Sequence, residues 1–599
     1  MFLFSLKIIF NFHKNLFLTI LLLSLLINKE ALAKVYDSSN NWEGEPFSGF
    51  KNIDATKADK FMISTASKEA SMAAADIMKL GGNAIDAAIA AQMVLNVVEP
   101  HSSGIGGGAF LLYYDANKKN YLYYNGRETA PALSNQDMFL DKNGNVRKFE
   151  DVVRGGLAVG TPGLLKMLFE VHKKYGRLPW KELFLPAINL SKNGFIVNQR
   201  MYVLAKKISY LKDFKESRQI YLDKNSNPRK LGSIMTNKKL AETFETIANK
   251  GVEPFYNGEI ARNIVDAVQN SKINKGFLSL EDLKNYKVKT GDLLCAKYRI
   301  YKVCSMPLPS AGGVTLLQTL GILENFDLKK YKNNKTLLSH LIIEASRLAY
   351  ADRSEYVADN ENIEIKRMID KNYLKERSKL INLNKSIDDV YPGKISGLYN
   401  LSSRNMVNSN AKEMPSTTHI SIVDNEGNAV SFTSSIEYFF GSALSVNGFL
   451  LNNQMTDFSL IPVIDSKLVA NRVQPMKQPR SSMTPTFVFD DNDNLVLVVG
   501  SPGGPRITQF VLKTIIYYLD LGYDIQNAVS SPNFVVLNDI VELEEGTDIE
   551  NLKEDLIKIG HGDVKIIDIT SGVNAIAIND NNKKIGAADP RRQGFSYGE

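Results

Sequence analysis

Residues 414–437 read Met414-Pro-Ser-Thr-Thr-His-Ile-Ser-Ile-Val-Asp-Asn-Glu-Gly-Asn-Ala-Val-Ser-Phe-Thr-Ser-Ser-Ile-Glu437. The segments from Thr418 to Val423 and from Ala429 to Ser434 are rich in β-branched, aromatic and hydroxyl-bearing residues, which favour strands. Between them, Asp424-Asn-Glu-Gly-Asn428 has the composition of a turn. The pattern therefore predicts a β-hairpin.

The turn sets the register of this hairpin. A three-residue loop at Asn425-Glu-Gly427, with its Gly at a positive φ, places Asp424 opposite Asn428. Every further pair then sums to the same residue number, so Thr417 is expected opposite Ser435. Two hydroxyl groups would meet at the open end of the hairpin.

The chain before Thr417 is suited to self-cleavage. Ser402 to Ser416 is polar and irregular, as expected for a flexible loop that leads into a strand. If the bond after Ser416 is cut, Thr417 gains a free α-amine beside its own hydroxyl. Such an amine titrates at about 7.7 to 8.0 in reference peptides, close to ideal for a general base. Thr-Thr pairs also begin many ordinary strands, so the hairpin alone leaves both interpretations open.

Further motifs support the catalytic interpretation. The hairpin is followed by Phe439-Phe-Gly-Ser-Ala-Leu-Ser-Val-Asn-Gly-Phe-Leu-Leu-Asn-Asn-Gln-Met-Thr-Asp-Phe-Ser459, Pro479-Arg-Ser-Ser-Met-Thr-Pro-Thr486 and Val499-Gly-Ser-Pro-Gly-Gly-Pro-Arg-Ile507. This series closely resembles the small subunit of the γ-glutamyltransferases, N-terminal-nucleophile hydrolases that cut themselves before a Thr. Segments that resemble the large subunit are Glu99-Pro-His-Ser-Ser-Gly-Ile-Gly-Gly-Gly-Ala109, Gly126-Arg-Glu-Thr-Ala-Pro131 and Met306-Pro-Leu-Pro-Ser-Ala-Gly-Gly313. The resemblance covers nearly the whole chain after its leader.

The resemblance implies an α+β fold, the four-layer αββα sandwich of the N-terminal-nucleophile hydrolases. Local patterns alone give only alternating helices and strands. The resemblance also implies a precursor that cleaves itself between Ser416 and Thr417. The expected products are a large subunit, residues 34–416, and a small catalytic subunit, residues 417–599, which stay associated as a heterodimer.

The implied activity is that of a γ-glutamyltransferase, or glutathione hydrolase. Thr417 would attack the γ-amide of glutathione or a related γ-glutamyl compound, and water or an amino acid would take the acyl group. The catalytic residues implied by the matching motifs are Thr417, Ser435, Gly503 and Gly504, with the two Gly amides forming an oxyanion hole. The implied substrate-binding residues are Arg127, Ser481 and Ser482 for the α-carboxylate and Gln454, Asp457 and Glu437 for the α-ammonium. Such a clamp selects a γ-linked amide, because only that link leaves both charged ends free.

Two positions and one segment depart from the pattern most familiar in the family. Ser435 stands where a Thr is frequent and keeps the hydroxyl, and Glu437 stands where an Asn is common. The segment from Leu460 to Arg480 is shorter than the lid loop of some bacterial relatives and lacks a Tyr. Substrate preference, and the balance between hydrolysis and transfer, are therefore less determined than the fold.

Three other functions fit parts of the sequence. A related acylase would use the same nucleophile on a β-lactam side chain or another acyl amide. An exported binding protein with an inactive site would not need the intact set of Thr417, Ser435 and Gly503-Gly504. An amide ligase or transferase that acts on γ-glutamyl polymers of the cell wall or capsule would share the pocket residues.

The N-terminus resembles a secretory signal peptide. Residues 1–33 carry Lys7 and Lys14, an apolar run from Leu16 to Ile27, and Ala31-Leu-Ala33 before Lys34. The run is shorter than the roughly 20 residues of a bilayer span, although an uncleaved anchor is the alternative. We expect an exported protein, periplasmic or secreted, with no membrane contact after the leader is removed.

Charge and composition exclude other classes. Removing residues 1–33 takes away three Lys and one Glu, which lowers the formal charge from +7 to +5. No charge run suggests a nucleic-acid partner. The six His are scattered without a pair at metal-ligand spacing in the sequence, so neither a metal nor a cofactor is expected. His419 beside the Thr pair is expected to be a packed strand residue.

Local signals give two helices and a glycine-rich loop. Ser67 to Leu80 reads as a helix that ends at Gly81-Gly82, and Asn83 to Val98 reads as a second, buried helix. Gly104 to Ala109 fits the G-x-G-x-x-A dinucleotide pattern. That pattern requires a strand before it and a helix after it, whereas here a helix precedes and the strand from Phe110 to Tyr114 follows. Close packing of backbone is the expected role.

Cys295 and Cys304 are the only cysteines. A two-residue turn at Arg299-Ile300 would make them direct cross-strand partners, at the pairing where Cα atoms come closest. A disulfide and two reduced strand cysteines both remain compatible with this arrangement.

Overall fold

The structure is a computed structural model that describes residues 50, 53–360, 362–398, 406–407 and 414–599. The predicted signal peptide lies outside the described residues. Among these residues, no helix combines the length and the apolar character that a bilayer span requires.

The hairpin forms with the predicted register. Its strands are Thr418–Val423 and Ala429–Ser435, and they pair antiparallel with Thr418 opposite Ser434. The Gly of the turn has a φ of 83°, as the three-residue loop requires. The same register places Thr417 and Ser435 side by side.

Two antiparallel sheets of seven strands form the centre of the fold. The hairpin sheet contains, in spatial order, Phe595–Gly598, Met62–Thr65, Thr418–Val423, Ala429–Ser435, Gly108–Asp115, Asn120–Asn125 and Lys289–Gly291. The second sheet contains Thr56–Ala58, Lys584–Ala588, Asn574–Ile578, Leu495–Gly500, Thr486–Phe489, Tyr301–Ser305 and Leu294–Tyr298. The hairpin therefore lies near the middle of its sheet, where both neighbours hold it.

Alternation along the strands shows how the layers pack. In Gly108–Asp115, Phe110 and Leu112 join the apolar core between the sheets, together with Phe487 of the second sheet. Leu111 points the other way and joins a core shared with the first helix layer. Val488 likewise joins a core shared with the second helix layer. Helices thus cover the outer face of each sheet, and the predicted αββα sandwich is confirmed.

The helices divide between the two outer layers. The layer on the hairpin sheet includes Lys68–Lys79, Ala84–Val98, Leu164–Tyr175, Leu185–Asn193, Gln199–Lys207, Lys215–Tyr221, Lys238–Lys250, Glu253–Asn257, Glu259–Gln269 and Leu280–Lys284. The layer on the second sheet includes Ala311–Leu323, Lys335–Tyr356, Lys371–Ser378, Ile507–Leu519, Ile525–Ser530 and Lys553–Lys558. A short helix, Phe149–Val152, packs nearer the cavity described below.

Small strand groups complete the fold. Met406–Val407, Lys467–Val469 and Val463–Ile464 form one three-stranded sheet, and Phe534–Leu537, Ile540–Glu544 and Asp563–Ile567 form another. The two-stranded pairs are Ser445–Val446 with Phe449–Leu450, and Phe195–Ile196 with Ile234–Met235.

The two predicted N-terminal helices form, and a side chain caps the N-terminus of each. Ser67 caps Lys68–Lys79, and Asn83 caps Ala84–Val98 in a reciprocal capping box with Asp86. All 15 residues of the second of these helices are buried, because it lies beneath the hairpin sheet and is covered by other helices. Its apolar sequence on every face is therefore explained by its position.

The glycine-rich loop after this helix packs closely against backbone, as predicted. A Cβ at Gly106 would lie 2.1 Å from the carbonyl oxygen of Leu450, and one at Gly107 would lie 2.2 Å from that of Ser435. The loop therefore supports the residues around the open end of the hairpin. It does not have the strand-loop-helix context of a dinucleotide site.

The two cysteines occupy the predicted hairpin. Cys295 and Cys304 are direct cross-strand partners, with their Cα atoms 4.1 Å apart, and they form a disulfide. Arg299 in the two-residue turn takes a φ of 56°. The pair lies on the edge hairpin of the second sheet.

Candidate active site

One cavity brings together nine of the residues that the sequence singled out. It is lined by Arg127, Thr417, Ser435, Glu437, Gln454, Asp457, Ser481, Ser482 and Gly504, with Met414, Met483 and Ile507. Most of these residues stand at strand ends or in the turns that follow them, so the rigid sheets position the site while the turns supply its side chains. Gly503 is not among the lining residues, and the two-amide oxyanion hole stays a prediction.

Thr417 lies against the peptide bond that precedes it. Its Oγ1 is 2.6 Å from the carbonyl oxygen of Ser416 and 3.3 Å from the Oγ of Ser435. Ser435 in turn donates its hydroxyl to the same Ser416 carbonyl at 2.7 Å. The carbonyl is therefore polarised by the Ser435 hydroxyl, and the Thr417 hydroxyl lies next to it.

The chain turns sharply just after Ser435. Glu437 adopts a φ of 78°, a left-handed conformation that is unfavourable for a residue with a Cβ. Its backbone N–H donates to Ser435 Oγ at 2.9 Å, and its side chain lines the cavity. The strained turn thus fixes the Ser435 hydroxyl and brings a carboxylate into the site.

Replacing Ser435 tests this arrangement. Ser435→Ala removes the donor to the Ser416 carbonyl, and loss of one such donor typically slows a reaction by about 10²- to 10³-fold. We expect the cleaved form of the Ser435→Ala variant to appear slowly. Intact-mass measurements over time give the cleavage rate. Ser435→Thr is the matched control, since it keeps the hydroxyl and should cleave at nearly the wild-type rate. Equal cleavage rates for the Ser435→Ala and Ser435→Thr variants would show that the Ser435 hydroxyl takes no part in the cleavage.

Two buried arginines near the site were not identified from the sequence. Arg592 donates to the backbone carbonyl of Thr417 at 3.1 Å, and burial lowers the pKa of its guanidinium to about 9. Arg353, on the Lys335–Tyr356 helix, donates to Ser482 Oγ at 2.8 Å. The sequence signal that could have identified Arg592 and Arg353 is a charged residue in a segment that otherwise reads as buried scaffold.

Arg127 is held by acceptors on every side. It is 1% exposed and forms an ion pair with Asp457. Its Nε and Nη2 also donate to the carbonyl oxygens of Pro479 and Arg480, at 3.2 and 2.9 Å. These two carbonyls directly precede Ser481-Ser482, so Arg127 orients the serine pair as well as facing the cavity.

The cavity is rich in acidic groups. Gln454 Nε2 donates to Asp457 Oδ2 at 2.7 Å, and Glu437 completes the acidic side. Neither carboxylate oxygen of Glu437 has a well-formed hydrogen bond to another described residue. Burial, with the nearby Asp457 carboxylate, raises the pKa of Glu437 well above its usual range. A cationic group placed here would oppose both causes.

Glu128 lies behind Arg127. Its carboxylate is 3.7 Å from the Arg127 guanidinium and fully buried. Burial raises the pKa of Glu128 to about 8, although the guanidinium opposes the shift. Arg127 is therefore shared by two acids, Asp457 and Glu128.

The shifted pKa of Glu437 predicts a pH dependence. A carboxyl with a raised pKa takes up its proton at a higher pH than an ordinary Glu, and the protonated form attracts an ammonium group less. The kcat/KM for a γ-glutamyl anilide should therefore decline as pH falls through this raised pKa, by up to about tenfold per pH unit. Glu437→Asn, which cannot ionise, should lose the part of this decline that comes from Glu437 and keep the part that comes from protonation of the Thr417 α-amine. An unchanged profile in that variant would assign the titration to another group.

His419 lies between the sheets, as predicted for a packed residue. Its ring bonds to the hydroxyls of Thr433 and Ser421, at 2.8 and 3.0 Å, and burial lowers its pKa to about 3. A Cβ on Gly500 would overlap this ring. His419 therefore stays neutral and fills the layer between the sheets.

One group outside the cavity has metal-ligand composition. The potential ligand atoms of His340, Glu344 and His561 lie within 4.8 Å of one another. The two rings are already hydrogen-bonded to each other at 2.9 Å, and Glu344 is paired with Arg347 at 2.7 Å. These bonds satisfy the group without an ion. Sequence reading missed it, although His340 and Glu344 stand one helical turn apart.

The fold and the cavity define a class. An αββα sandwich with a hydroxyl residue at the start of a central strand is the arrangement of the N-terminal-nucleophile hydrolases. The family model for gamma-glutamyltranspeptidase matches residues 70–598. The chain belongs to the gamma-glutamyltranspeptidase family, whose members are hydrolytic and acyl-transferring enzymes.

Relatives and solved structures agree with this assignment. The chain is 39% identical over 569 residues to the glutathione hydrolase proenzyme of Bacillus subtilis (strain 168), covering 92% of this chain and 93% of the relative. It is 35% identical over 550 residues to that of Escherichia coli (strain K12), covering 89% and 91%. The structure of Helicobacter pylori gamma-glutamyltranspeptidase is similar with a TM-score of 0.54 at 32% identity, covering 59% of this chain and 99% of that one. Cephalosporin acylase from Bacillus halodurans shares the fold, with a TM-score of 0.79 at 24% identity, covering 93% and 99%.

Proposed function

We propose that this protein cleaves itself before Thr417 and then transfers γ-glutamyl groups from glutathione or related γ-glutamyl amides to water or to an amino acid. The observation that carries the proposal is the contact of the Thr417 hydroxyl with the Ser416 carbonyl in a cavity that also contains Arg127 and Asp457. The names of the relatives support the same reaction.

Self-cleavage begins with the Thr417 hydroxyl. Its oxygen attacks the Ser416 carbonyl carbon while its proton passes to a base, and Ser435 stabilises the oxyanion through the bond it already makes. The C–N bond then breaks, the Thr417 nitrogen takes a proton, and an ester links Ser416 to the Thr417 hydroxyl. Water hydrolyses that ester, which yields the Ser416 carboxylate and a free Thr417 amine beside its hydroxyl.

The new N-terminus carries the second reaction. The α-amine takes the hydroxyl proton as Thr417 attacks the γ-carbonyl of the substrate, and it returns a proton to the departing amine. Ser435 holds the hydroxyl, and the amides of Gly503 and Gly504 stabilise the oxyanion. Water or the amine of an acceptor then attacks the γ-glutamyl ester and frees Thr417.

Substrate selection follows from the charges of the cavity. Arg127 and the serine pair would bind the α-carboxylate, and Asp457, Gln454 and Glu437 would bind the α-ammonium. In this structure Arg127 and Asp457 are paired with each other, so an amino-acid end that presents both charges on one carbon complements the two partners together. An uncharged acyl group offers neither contact.

The proposal includes two subunits and export. The large subunit is residues 34–416 and the small one residues 417–599, and the pairing of Thr418–Val423 with Met62–Thr65 supports their staying together after cleavage. The leader at residues 1–33 would direct the chain out of the cytoplasm. No cofactor takes part in the proposed chemistry.

The test compares substrates. The purified protein is incubated with γ-glutamyl anilide, α-glutamyl anilide and butyryl anilide, and the released aniline is measured. We expect release from the γ-linked substrate alone, and glutamate with cysteinylglycine from glutathione. Preference for the butyryl compound would indicate the acylase alternative. No turnover by a protein that has cleaved at Thr417 would move the search to polymeric γ-glutamyl substrates.

A further inference from the structure

Four buried polar residues form a cluster that contacts the residues on both sides of Thr417 through the Glu99 side chain and the His101 backbone. Glu99, His101 and Ser102 follow the Ala84–Val98 helix, and Arg200 comes from a later helix of the same layer. Each is at most 2% exposed. We call them the Glu99–Arg200 cluster.

Arg200 joins the members of the cluster. Its Nη1 donates to Glu99 Oε1 at 2.9 Å, and the same nitrogen lies 2.6 Å from His101 Nε2 and 2.8 Å from Ser102 Oγ. Burial beside this guanidinium holds the pKa of His101 well below its usual range, so the ring is neutral and accepts the bond. The cluster is therefore an ion pair with two neutral groups attached.

The cluster reaches the scissile segment through two side chains. Ser416 Oγ donates to the carbonyl oxygen of His101 at 2.6 Å. On the other side of the nucleophile, Thr418 Oγ1 donates to Glu99 Oε2 at 3.3 Å. The residues before and after Thr417 are thus attached to one buried group.

The same segment also holds the chain that follows Ser435. The backbone N–H of Ile436 donates to the carbonyl of Ser102 at 3.1 Å, and that of Phe440 donates to the carbonyl of His101 at 3.2 Å. The two ends of the hairpin that meet at the cavity are therefore both hydrogen-bonded to the backbone of residues 101–102. A shift of this segment would change the distance between the Thr417 and Ser435 hydroxyls.

Stability alone does not account for a buried ion pair at this place. Replacing such a pair by uncharged residues of similar volume is often neutral or stabilising, because taking two charges out of water is costly. Alignment of reacting atoms is a different matter, since a misplacement of about 1 Å can slow a reaction by about 100-fold. Self-cleavage requires a hydroxyl to attack the carbonyl of its own peptide bond, which tolerates little misalignment.

We infer that the Glu99–Arg200 cluster is a positioning device for self-cleavage, which fixes the backbone on both sides of Thr417 so that its hydroxyl faces the Ser416 carbonyl. Its members are positioning residues, because Glu99 and the His101 backbone contact the neighbours of the reacting atoms and Arg200 holds those two residues in place. The inference rests on the proposed cleavage at Thr417. It predicts that the cluster affects cleavage more than later turnover, because Ser416 is attached to Thr417 only in the precursor.

The first test uses full-length chains with a change at Thr418. Thr418→Val removes the hydroxyl that reaches Glu99 and keeps the size and strand preference of the side chain. We expect cleavage about tenfold slower, from the loss of one hydrogen bond to a charged group. Thr418→Ser, which keeps the hydroxyl, should restore the rate to within about twofold of wild type. Cleavage rates come from intact mass over time, and a Val variant that cleaves at the wild-type rate overturns the inference.

The second test removes both charges at once. Glu99→Gln combined with Arg200→Met leaves no unpaired buried charge, so the melting temperature should stay close to wild type. Cleavage should nevertheless be about 100-fold slower, while kcat of the fraction that does cleave changes much less. Wild-type cleavage in this folded double variant would make the cluster purely structural and overturn the inference.

The outcomes separate this inference from the proposed function. If the double variant does not fold, the Thr418 pair, which leaves both charges in place, still decides. If the wild-type chain itself never cleaves, the proposed function fails, and the positioning role fails with it. If the wild type cleaves and all variants match it, only the positioning role fails.

Discussion

The Thr417→Ala chain is expected to remain a single polypeptide with no activity on any γ-glutamyl substrate. The change removes the hydroxyl whose oxygen lies 2.6 Å from the Ser416 carbonyl oxygen, so the acyl shift loses its nucleophile. Cleavage and turnover are therefore lost together. Intact-mass measurement, and N-terminal sequencing of any smaller fragment, check the first loss, and release of aniline from γ-glutamyl anilide checks the second.

The matched control is Thr417→Ser. Serine keeps a hydroxyl and, once cleaved, an α-amine, so this chain should cleave and turn over, although more slowly because it lacks the methyl group that restricts χ1. The wild type should yield a fragment that begins at Thr417. If wild type and the Ala variant both stay whole, Thr417 never gains its free amine, and the binding-protein alternative takes precedence.

The hairpin shows why so much could be predicted from the sequence. Its register depends on a local turn and on strict alternation, both of which are written in adjacent residues. The turn chemistry of Asp424 to Asn428 was therefore enough to place Thr417 opposite Ser435, and the structure has this pairing. The same local logic gave the two N-terminal helices and the cross-strand cysteines.

Residues that reach the site from distant parts of the chain could not be predicted in this way. Arg592 contacts Thr417 across 175 positions in sequence, and Arg200 contacts Glu99 across 101. No local period relates them, and each is a charged residue in a segment that otherwise reads as scaffold. Arg127, Gln454 and Asp457 entered the expected site only through the family resemblance, and the structure brings all three to one cavity.

Arg127→Ala is expected to lower kcat/KM for γ-glutamyl anilide by about 30- to 5,000-fold, because truncating one partner of a buried, hydrogen-bonded charge pair in a complex costs about 2 to 5 kcal/mol of binding free energy. Two effects contribute. The substrate loses the planar pair of donors for its α-carboxylate. Asp457 and Glu128 also lose the cation that offsets their burial, so the acidic side of the cavity is left uncompensated.

Because those uncompensated acids could also weaken the fold, the decisive comparison uses Arg127→Met combined with Asp457→Asn. This double variant removes both charges of the Arg127–Asp457 pair, and Glu128, whose pKa burial raises to about 8, can take up a proton, so the chain should fold and cleave before Thr417. It should still fail on γ-glutamyl anilide, since neither charged end of the substrate is bound. Intact mass follows cleavage before Thr417 and aniline release follows turnover of γ-glutamyl anilide, so the effects of the double variant on the two reactions are measured separately. A double variant that retains full activity on the γ-glutamyl compound would show that the cavity does not recognise an amino-acid end, and the acylase alternative would then explain the same Thr nucleophile.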